Sequence, residues 1–291
     1  RTFLFHRGDH RQPKQEVAPG GLTVTAPDGA QFAIAGDDAQ VTSSGRRLAF
    51  ARWLTNGRHP LVARVLVNRV WLHHFGRGIV TTPDEFGKLG TRPTHPRLLD
   101  WLASYFVESG WSLKELHRVM MRSTAYRQAS LRHVQGDDLD GSNSLYWHKT
   151  VQRLDAEIVR DRILAVSGTL DRKMYGPPVG LKADDAGQIS VGGPDRRSVY
   201  VQNRRTQPVA LLQVFDQPVM TVNCSKRGKS TVALQSLLMM NSEAVLKYAL
   251  AMADRVNKQA RPGADAELVK GLEVPFDLKN YFSNMGVWRG G

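Results

Sequence analysis

The feature that most constrains the fold is a run of apolar side chains between Pro60 and Gly76. Placed on a helix, they face nearly every side of the axis, and a helix that is apolar on most sides is usually buried. Proline suits the first position of a helix, and glycine ends one. We therefore predict a buried helix from Pro60 to about Phe75. Its apolar members are Leu61, Val62, Val65, Leu66, Val67, Val70, Trp71, Leu72 and Phe75.

The segments around this helix also carry helix signals. Ser112, with Glu115 three residues later, has the pattern of a capping box. The region 46–130 is therefore predicted to be a helical core lobe. Its other predicted helices are Arg47–Leu54, Thr94–Ser109 and Leu113–Ser123.

A second helical lobe with a short strand is predicted over residues 147–260, and the polar residues 130–146 are expected to join the two lobes. Within the second lobe, Ser198–Gln202 is the best candidate strand of the chain. Residues 171–195 are rich in Gly and Pro and predict a loop. The predicted helices of this lobe are Leu154–Ser167, ended by Gly168, and Val209–Phe215, Val232–Met240 and Glu243–Asn257.

The two ends of the chain lack helical periodicity. Residues 1–45 are predicted to be extended, with a short strand at Thr2–Phe5 and a hairpin made of Leu22–Thr25 and Gln31–Ala35. Residues 261–291 are expected to be an irregular or divergent tail. The predicted fold class is therefore mainly α, a multi-helix globular domain with a small β-hairpin or short-strand element.

The charge balance points to an acidic partner or to many internal ion pairs. The formal net charge is +13, and arginine supplies 28 of the 40 basic side chains. Arginine favours bidentate pairing with carboxylate or phosphate groups, so nucleic acid, anionic polysaccharide and acidic protein are candidate partners. The charges are dispersed along the chain, without a block of five or six like charges. Structural pairing of the arginines is therefore the favoured interpretation, and nucleic acid is the least favoured partner.

Several kinds of site are not indicated. Cys224 is the single cysteine, which excludes an internal disulfide and the motifs built on cysteine pairs. Phosphate-loop, dinucleotide, nucleophile-elbow and zinc-protease motifs do not occur. The groups His6-Asp9-His10 and His73-His74 lack the spacing of a known metal motif, so no metal is predicted. No apolar run approaches the roughly 18 residues of a membrane span.

The central helix carries an unusual polar line. Arg64, Asn68 and Trp71 share one side of it at i, i+4 and i+7, and Arg69 lies beside them. Buried polar groups must be paired or they cost several kcal/mol. Two interpretations stay open: a pocket wall that grips an anionic or carbonyl group, or an ion-pair network that holds the next loop. In that network the natural partners are Asp84 and Glu85, and Asp100 is the further carboxylate that we consider for a cleft.

A second candidate region surrounds the predicted strand at Ser198–Gln202. The arginines on either side of it, with Tyr200, suggest phosphate or sugar-acid binding or a solvated surface. The candidate binding residues here are Arg197, Tyr200 and Arg204. Earlier in the second lobe, Arg153 and Glu157 have the i, i+4 spacing of a helical ion pair.

Many of these segments, taken in order, resemble one protein family. It is the C-terminal planctomycete-specific domain of unknown function, numbered fifteen fifty-three in its series. The resemblance runs from about Thr2 to Asn257, apart from residues 20–44. It rests on Arg47-Leu48-Ala49, Asn68-Arg69-Val70-Trp71, Phe75-Gly76-Arg77-Gly78-Ile79-Val80, Pro83-Asp84-Glu85-Phe86, Leu99-Asp100-Trp101-Leu102, Arg153-Leu154-Asp155-Ala156-Glu157, Arg197-Ser198-Val199-Tyr200 and Cys224 to Gln235.

The resemblance implies a helical module of an exported, periplasmic protein with a signal peptide and a cytochrome-c-like domain upstream. Because the sequence begins with Arg1 rather than Met, we expect it to be a piece of a longer protein or a processed product. Haem would belong to the upstream domain, so no cofactor is expected in this chain. The resemblance implies no reaction.

Three functions follow as hypotheses. The first is an accessory module that binds an anionic glycan or a partner domain such as the cytochrome-c-like one. The second is a hydrolase acting on polysaccharide or its esters, which requires Arg64, Asn68, Asp84 and Asp100 to converge on an open cleft. The third is nucleic-acid binding, which rests on charge alone.

Overall fold

The structure is a computed structural model of the chain, and it describes residues 2–26, 42–183, 187–219 and 224–259. The chain divides into two compact units between Gln152 and Arg153. Helices dominate the described part of each unit, and two short antiparallel two-stranded sheets accompany them. The predicted fold class is confirmed. The predicted tail, 261–291, lies outside the described residues.

Unit 1 opens with a β-hairpin, β1 at Phe3–His6 and β2 at Asp9–Glu16. The turn passes through Arg7 and Gly8, which both have positive φ, at 49° and 80°. The strand predicted at Thr2–Phe5 is therefore present as β1. Its partner β2 goes unpredicted because its side chains are almost all exposed. The apolar–polar alternation of a half-buried strand is missing there.

The prediction of a strand at Leu22–Thr25 is wrong. Residues 23–25 form a short 3-10 turn, in which the N–H and the hydroxyl of Thr25 both donate to the Leu22 carbonyl, at 3.0 and 2.8 Å. These local bonds compete with strand pairing for the same backbone groups. The second half of the predicted hairpin, Gln31–Ala35, lies outside the described residues.

Five helices follow within the described part of unit 1. They are α1 (Arg46–Thr55), α2 (Val62–Phe75), α3 (Pro96–Glu108), α4 (Leu113–Arg122) and α5 (Val134–Asp140). Helices α1 to α4 occupy the segments predicted to be helical, and the Ser112 hydroxyl accepts the N–H of Glu115 as predicted. Helix α5 is an addition, since residues 130–146 are predicted only to be polar and turn-rich.

The start of α2 differs from the prediction by two residues. Pro60 precedes the helix, because the Nδ1 atom of His59 accepts the N–H groups of Leu61 and Val62, at 3.2 and 3.3 Å. An acceptor from outside satisfies the first donors of a helix and so fixes where it begins. The end is as predicted: Gly76 has a φ of 78° and donates its N–H back to the last turn.

Helix α2 is the buried centre of unit 1, as its all-round apolar sequence predicts. It packs against α3 and α4. Fully burying one side chain of this kind contributes roughly 1.5–3 kcal/mol, so this cluster dominates the stability of the unit. Its members include Val67, Trp71, Phe75, Leu99, Leu102, Phe106, Leu116 and Met120.

The segment after α5 also belongs to unit 1. The Tyr146 hydroxyl accepts the indole N–H of Trp71 at 2.9 Å, and Tyr146 is itself buried. The Lys149 ammonium donates to the His74 carbonyl at 2.6 Å and lies 3.7 Å from the ring centre of Tyr126. The polar stretch that the sequence suggests as a join thus leads into residues that complete the α2 core.

Unit 2 is arranged around one helix, α6 (Ala156–Ser167), which packs against its helical neighbours. The prediction of helices in this region is confirmed, as is Gly168 as the end of α6, with a φ of 80°. A small hairpin occupies part of the predicted loop at 171–195, and its strands are too short to show a periodicity. The other elements are β3 (Leu181–Ala183), β4 (Ile189–Val191), α7 (Ala210–Val214), α8 (Ala233–Asn241) and α9 (Glu243–Gln259).

The prediction of a strand at Ser198–Gln202 is wrong. Residues 198–200 form a 3-10 turn, and only Val201 makes an isolated bridge, with Val179. The reason is a contact from α6: the Asp161 carboxylate accepts the N–H of Ser198 at 2.6 Å. A backbone group taken by a side chain cannot join a sheet, so tertiary context overrides the local preference.

Candidate functional site

The polar residues predicted on α2 enter separate contacts. Arg64 donates from Nε to the Asp100 carboxylate at 2.7 Å and from Nη1 to the Pro60 carbonyl. Arg69 pairs with Asp84 at 3.3 Å. The side chains of Arg64 and Asp100 are 37% and 57% exposed, and those of the other pair are exposed to a similar degree. These are surface ion pairs, which contribute about 0–1 kcal/mol each.

Asn68 is fully buried and holds the loop that follows α2. Its Oδ1 atom accepts the N–H of Val80 at 2.8 Å, and its Nδ2 atom donates to the carbonyl of Val80 at 2.9 Å. Gly78 makes room for this clamp, since a Cβ atom there would lie 2.4 Å from the Val80 carbonyl oxygen. Asn68 therefore has a structural role.

Trp71 is also committed to the core. It stacks on Phe75 with ring centres 4.0 Å apart, and its indole N–H is bonded to Tyr146. The predicted line of α2 therefore splits into two surface pairs, one buried clamp and one core aromatic. Arg64, Asn68, Asp84 and Asp100 engage three different sets of partners rather than one cleft.

The described part of unit 2 contains a cleft of about 460 Å³ at the start of α6. We call it the α6 cleft. Four parts of the chain build it: the first turns of α6, the 3-10 turn at Ser198 with the extended residues after it, the α7 region, and the segment around Arg227. Ligand sites of proteins usually have roughly 300–1,000 Å³. The lining includes Asp155, Glu157, Asp161, Arg197, Ser198, Val199, Val201, Gln202, Asn203, Gln207, Leu212, Gln217 and Arg227.

Three carboxylates of α6 line the cleft. Asp155 and Glu157 lie at the N-terminal end of the helix, where its dipole favours negative charge, and Asp161 lies one turn further along. Glu157 pairs with Arg227 at 2.5 Å. Asp155 lies 3.6 Å from the Lys229 ammonium. Asp161 accepts the Ser198 N–H and lies 3.5 Å from the Nε atom of Arg197. The wall thus alternates acceptors with donors.

Another part of the cleft lining is uncharged. Val199 and Val201 expose apolar surface, and three amide side chains lie nearby along the chain, at Gln202, Asn203 and Gln207. An amide side chain offers two donors and one acceptor that takes two bonds. The cleft can therefore bind a molecule that has apolar faces and many hydroxyl groups.

A network behind the cleft holds the segment that carries Arg227. The Asp216 carboxylate accepts Arg153 Nη2 at 2.6 Å, and it accepts both the N–H and the hydroxyl of Ser230, at 2.7 and 2.9 Å. Burial raises the pKa of Asp216, but these hydrogen bonds outweigh that effect, so that its pKa lies below the ordinary value. The prediction that Arg153 pairs with Glu157 is wrong, because Asp216 and Arg227 take the two partners.

The residues predicted around the strand have three different placements. Arg197 lies in the α6 cleft. Arg204 donates to the side-chain oxygen of Gln207, a lining residue, at 2.9 Å. Tyr200 contacts the loop that contains Tyr175: its hydroxyl accepts the N–H of Tyr175 at 3.2 Å. The carboxylates of the cleft escape sequence reasoning, because a helix with mixed charges usually indicates a solvated face.

The described ranges contain no group of three or more His, Cys, Asp and Glu side chains arranged to hold a metal ion. None of the helices described combines the length and the apolarity that crossing a bilayer requires.

The fold and the cleft together define a mainly α domain with a polar cleft in its second unit. A family model, PSD1: Protein of unknown function (DUF1553), matches residues 46–276. The chain therefore belongs to this family. The match begins at the first residue of α1 and does not include the opening hairpin. The comparison with curated proteins found no match, and neither did the comparison with solved structures.

Proposed function

We propose that this chain is an accessory binding module of an exported multidomain protein and that the α6 cleft holds a sugar unit of a glycan. The observation that carries this proposal is the lining itself, in which paired carboxylates, guanidinium groups and amides surround a space of about 460 Å³. A sugar ring presents hydroxyl groups that both donate and accept, and apolar C–H faces between them. Each of these features has a counterpart on the cleft wall.

The charges of the lining favour a neutral sugar over an acidic one. Asp155, Glu157 and Asp161 carry three negative charges, and each is paired with a basic group, namely Lys229, Arg227 and Arg197. A ligand carboxylate or sulfate would meet these carboxylates and would have to compete for basic groups already in ion pairs. The overall excess of positive charge therefore does not decide what this cleft binds.

The carboxylates of the cleft already have hydrogen-bond or ion-pair partners, and this favours binding over hydrolysis. Hydrolysis of a glycosidic bond requires one carboxyl group that gives a proton and a second that acts as base or nucleophile. In the α6 cleft, Glu157 is held by Arg227 and Asp161 by the Ser198 N–H. The carboxylates considered from the sequence, Asp84 and Asp100, lie in surface pairs of unit 1.

The wider context of the proposal comes from the family resemblance. It suggests a periplasmic location and a cytochrome-c-like domain upstream as a partner within the same protein. A haem would be held by that domain. The present sequence has one cysteine, Cys224, and covalent haem attachment uses a Cys-x-x-Cys-His motif.

The test is a binding screen of the 291-residue chain against neutral and acidic oligosaccharides, followed by calorimetry. We expect a neutral oligosaccharide to bind and Asn203→Ala, at an exposed lining position, to weaken it about ten-fold through lost hydrogen bonds. Glu157→Gln should weaken it as well. The matched control is Glu115→Gln, because Glu115 also lies in the first turn of a helix and pairs with an arginine, Arg118.

The proposal fails if no glycan binds at concentrations up to roughly 10 mM, because a dissociation constant above that value means negligible affinity. It also fails if Asn203→Ala and Glu157→Gln bind as well as the control variant. Preference for acidic over neutral glycans would contradict the charge argument for this cleft. Binding to nucleic acid with a steep salt dependence would instead support the alternative that rests on net charge.

A further inference from the structure

Unit 2 contains a second cavity, of about 350 Å³, which the proposed glycan cleft does not explain. It lies between α6, the hairpin β3–β4 and the α8–α9 region. We call it the Arg160 cavity. Its charged lining side chains are Arg160, Lys182, Asp195, Glu243 and Lys247, and Tyr248 and Ser190 contribute hydroxyl groups.

Arg160 is the unusual residue of this cavity. Its side chain is only 3% exposed, and Nη1 donates to the Arg196 carbonyl at 2.9 Å and to the Ser198 hydroxyl at 3.2 Å. Nη2 is buried and has no hydrogen-bond partner among the described residues. A guanidinium stays charged in proteins, and an unsatisfied buried donor of a charged group costs more free energy than one of a neutral group.

The neighbouring carboxylates do not satisfy this donor. Asp161 approaches Nη1 rather than Nη2, at 3.9 Å, and is bonded to the Ser198 N–H. Asp195 accepts the Tyr248 hydroxyl at 2.6 Å, and its other oxygen lies 3.8 Å from the Lys247 ammonium. Burial accordingly lowers the pKa of Arg160 against the opposing effect of these groups. The guanidinium is therefore short of one acceptor.

The balance of charge in the cavity indicates what kind of acceptor is missing. Arg160, Lys182 and Lys247 carry three positive charges, and Asp195 and Glu243 carry two negative ones; Asp161, outside the lining, lies 3.9 Å from Arg160. A dianion such as phosphate or sulfate would therefore meet repulsion from these carboxylates, and a singly charged group fits better. A carboxylate group carries a single charge and accepts hydrogen bonds from guanidinium donors in a favourable geometry.

We propose that the Arg160 cavity binds the carboxylate of a small monoanion, with Nη2 of Arg160 as its buried donor and Lys182 and Lys247 at the rim. A simple organic acid and an acidic sugar share this chemistry. The volume of about 350 Å³ accommodates either. The site is distinct from the α6 cleft, although Val209 lines both and the Ser198 hydroxyl, which lines that cleft, accepts the Nη1 hydrogen bond of Arg160.

The experiment titrates the full chain with glucuronate, acetate, glucose and sulfate, using calorimetry and thermal shift. Saturable binding of glucuronate or acetate, without binding of sulfate, is the expected result, and glucose, which the α6 cleft can bind, should not compete with acetate. Tighter binding of glucuronate than acetate would identify an acidic sugar, and equal binding would identify the carboxylate alone. Binding of sulfate as tight as that of glucuronate would overturn the proposal, and so would binding of neither carboxylate.

Variants at the rim test the site without disturbing the buried guanidinium. Lys182→Gln and Lys247→Gln should each weaken carboxylate binding roughly three- to five-fold, as expected for partly exposed charge pairs. Lys258→Gln, at the exposed end of α9, is the matched control and should have no effect. Asn203→Ala should leave carboxylate binding unchanged, so that failure at this cavity is distinguishable from failure at the α6 cleft. Rim variants that bind like the control would refute the assignment.

Arg160→Met removes the donor itself while keeping a long apolar stem. If the variant folds, it should lose carboxylate binding altogether, and retained binding would contradict the proposal. If it does not fold, the two lysine variants decide the matter on their own.

Discussion

The two central helices, α2 in unit 1 and α6 in unit 2, bury polar groups with opposite results. In α2, the amide of Asn68 bonds with both of its polar atoms to Val80. In α6, Arg160 is almost as deeply buried, yet its Nη2 atom lacks a partner among the described residues. A buried polar group that is satisfied internally stabilises the fold, and one that is left open can bind a ligand. We therefore assign a structural role to the polar line of α2 and propose that ligands bind in unit 2.

The largest effect is expected from breaking the clamp of α2. Asn68→Ala leaves the N–H and the carbonyl of Val80 buried without partners and opens a cavity beside them. We expect a loss of about 3 kcal/mol in the free energy of unfolding. Urea denaturation followed by fluorescence measures this, with α6-cleft ligand binding as a second readout that should persist in folded protein. A loss below about 1 kcal/mol would show that Asn68 does not have the structural role that we assign to it.

A smaller loss of stability is expected in unit 2 from Asp216→Asn. The substitution removes the charge that pairs with Arg153 and accepts two hydrogen bonds from Ser230. Both partners are partly buried, so we expect a cost of about 2 kcal/mol. The variant should also bind the α6-cleft ligand more weakly, because the segment carrying Arg227 loses its anchor. Unchanged stability and binding, measured by calorimetry, would show that this network does not support the α6 cleft.

Acid should act on both units through carboxylates whose pKa is lowered by folding. In unit 1, the N–H of Leu145, followed by hydrogen bonds from Ser144 and Ser142, lowers the pKa of Asp140 to about 2. In unit 2, the pKa of Asp216 is lowered by Ser230 and Arg153 against the effect of burial.

A lowered folded-state pKa gives stability that is present above the unfolded value of about 4 and is lost as the pH falls through the folded value. The melting temperature should therefore fall between about pH 4 and pH 2. The fall should be shallower in Asp140→Asn and in Asp216→Asn, compared with the natural chain over the same range. Parallel curves for all three proteins would count against this source of acid sensitivity.

The smallest effect is expected at the polar residue of α2 that stands out most in the sequence. Arg64→Gln breaks an exposed ion pair with Asp100 and should cost about 0.5 kcal/mol or less. Raising the salt concentration should reduce the difference further, because exposed pairs are screened. A loss as large as that of Asn68→Ala, or a loss of ligand binding in folded protein, would reverse the roles that we assign to the two central helices.

Helix positions were largely predictable from the sequence, and the partners of the polar residues were not. The buried centre at α2 follows from apolar side chains on all sides of one helix, and the ends at Gly76 and Gly168 follow from the left-handed backbone that glycine adopts easily. The 3-10 turn at Ser198 was not predictable, because it depends on a carboxylate 37 residues away in the sequence, at Asp161.

The candidate site shows the same division. Arg197 was identified from the sequence because arginines flank an apolar segment, whereas Glu157 and Arg227 lie 70 residues apart and meet only in the folded chain. Arg160 gives no signal at all, since a mixed-charge helix conceals which of its members is buried.

The sequence by itself determined a mainly α protein with two regions of helices, because helix periodicity and helix ends depend on residues within a few positions of each other. Only the tertiary structure decided that Asn68 of α2 has partners for its buried polar atoms and that, within the described residues, Arg160 of α6 has one buried donor without a partner. The free energy of a buried polar group depends on the partners that long-range packing brings to it, and neighbouring positions in the chain do not specify those partners.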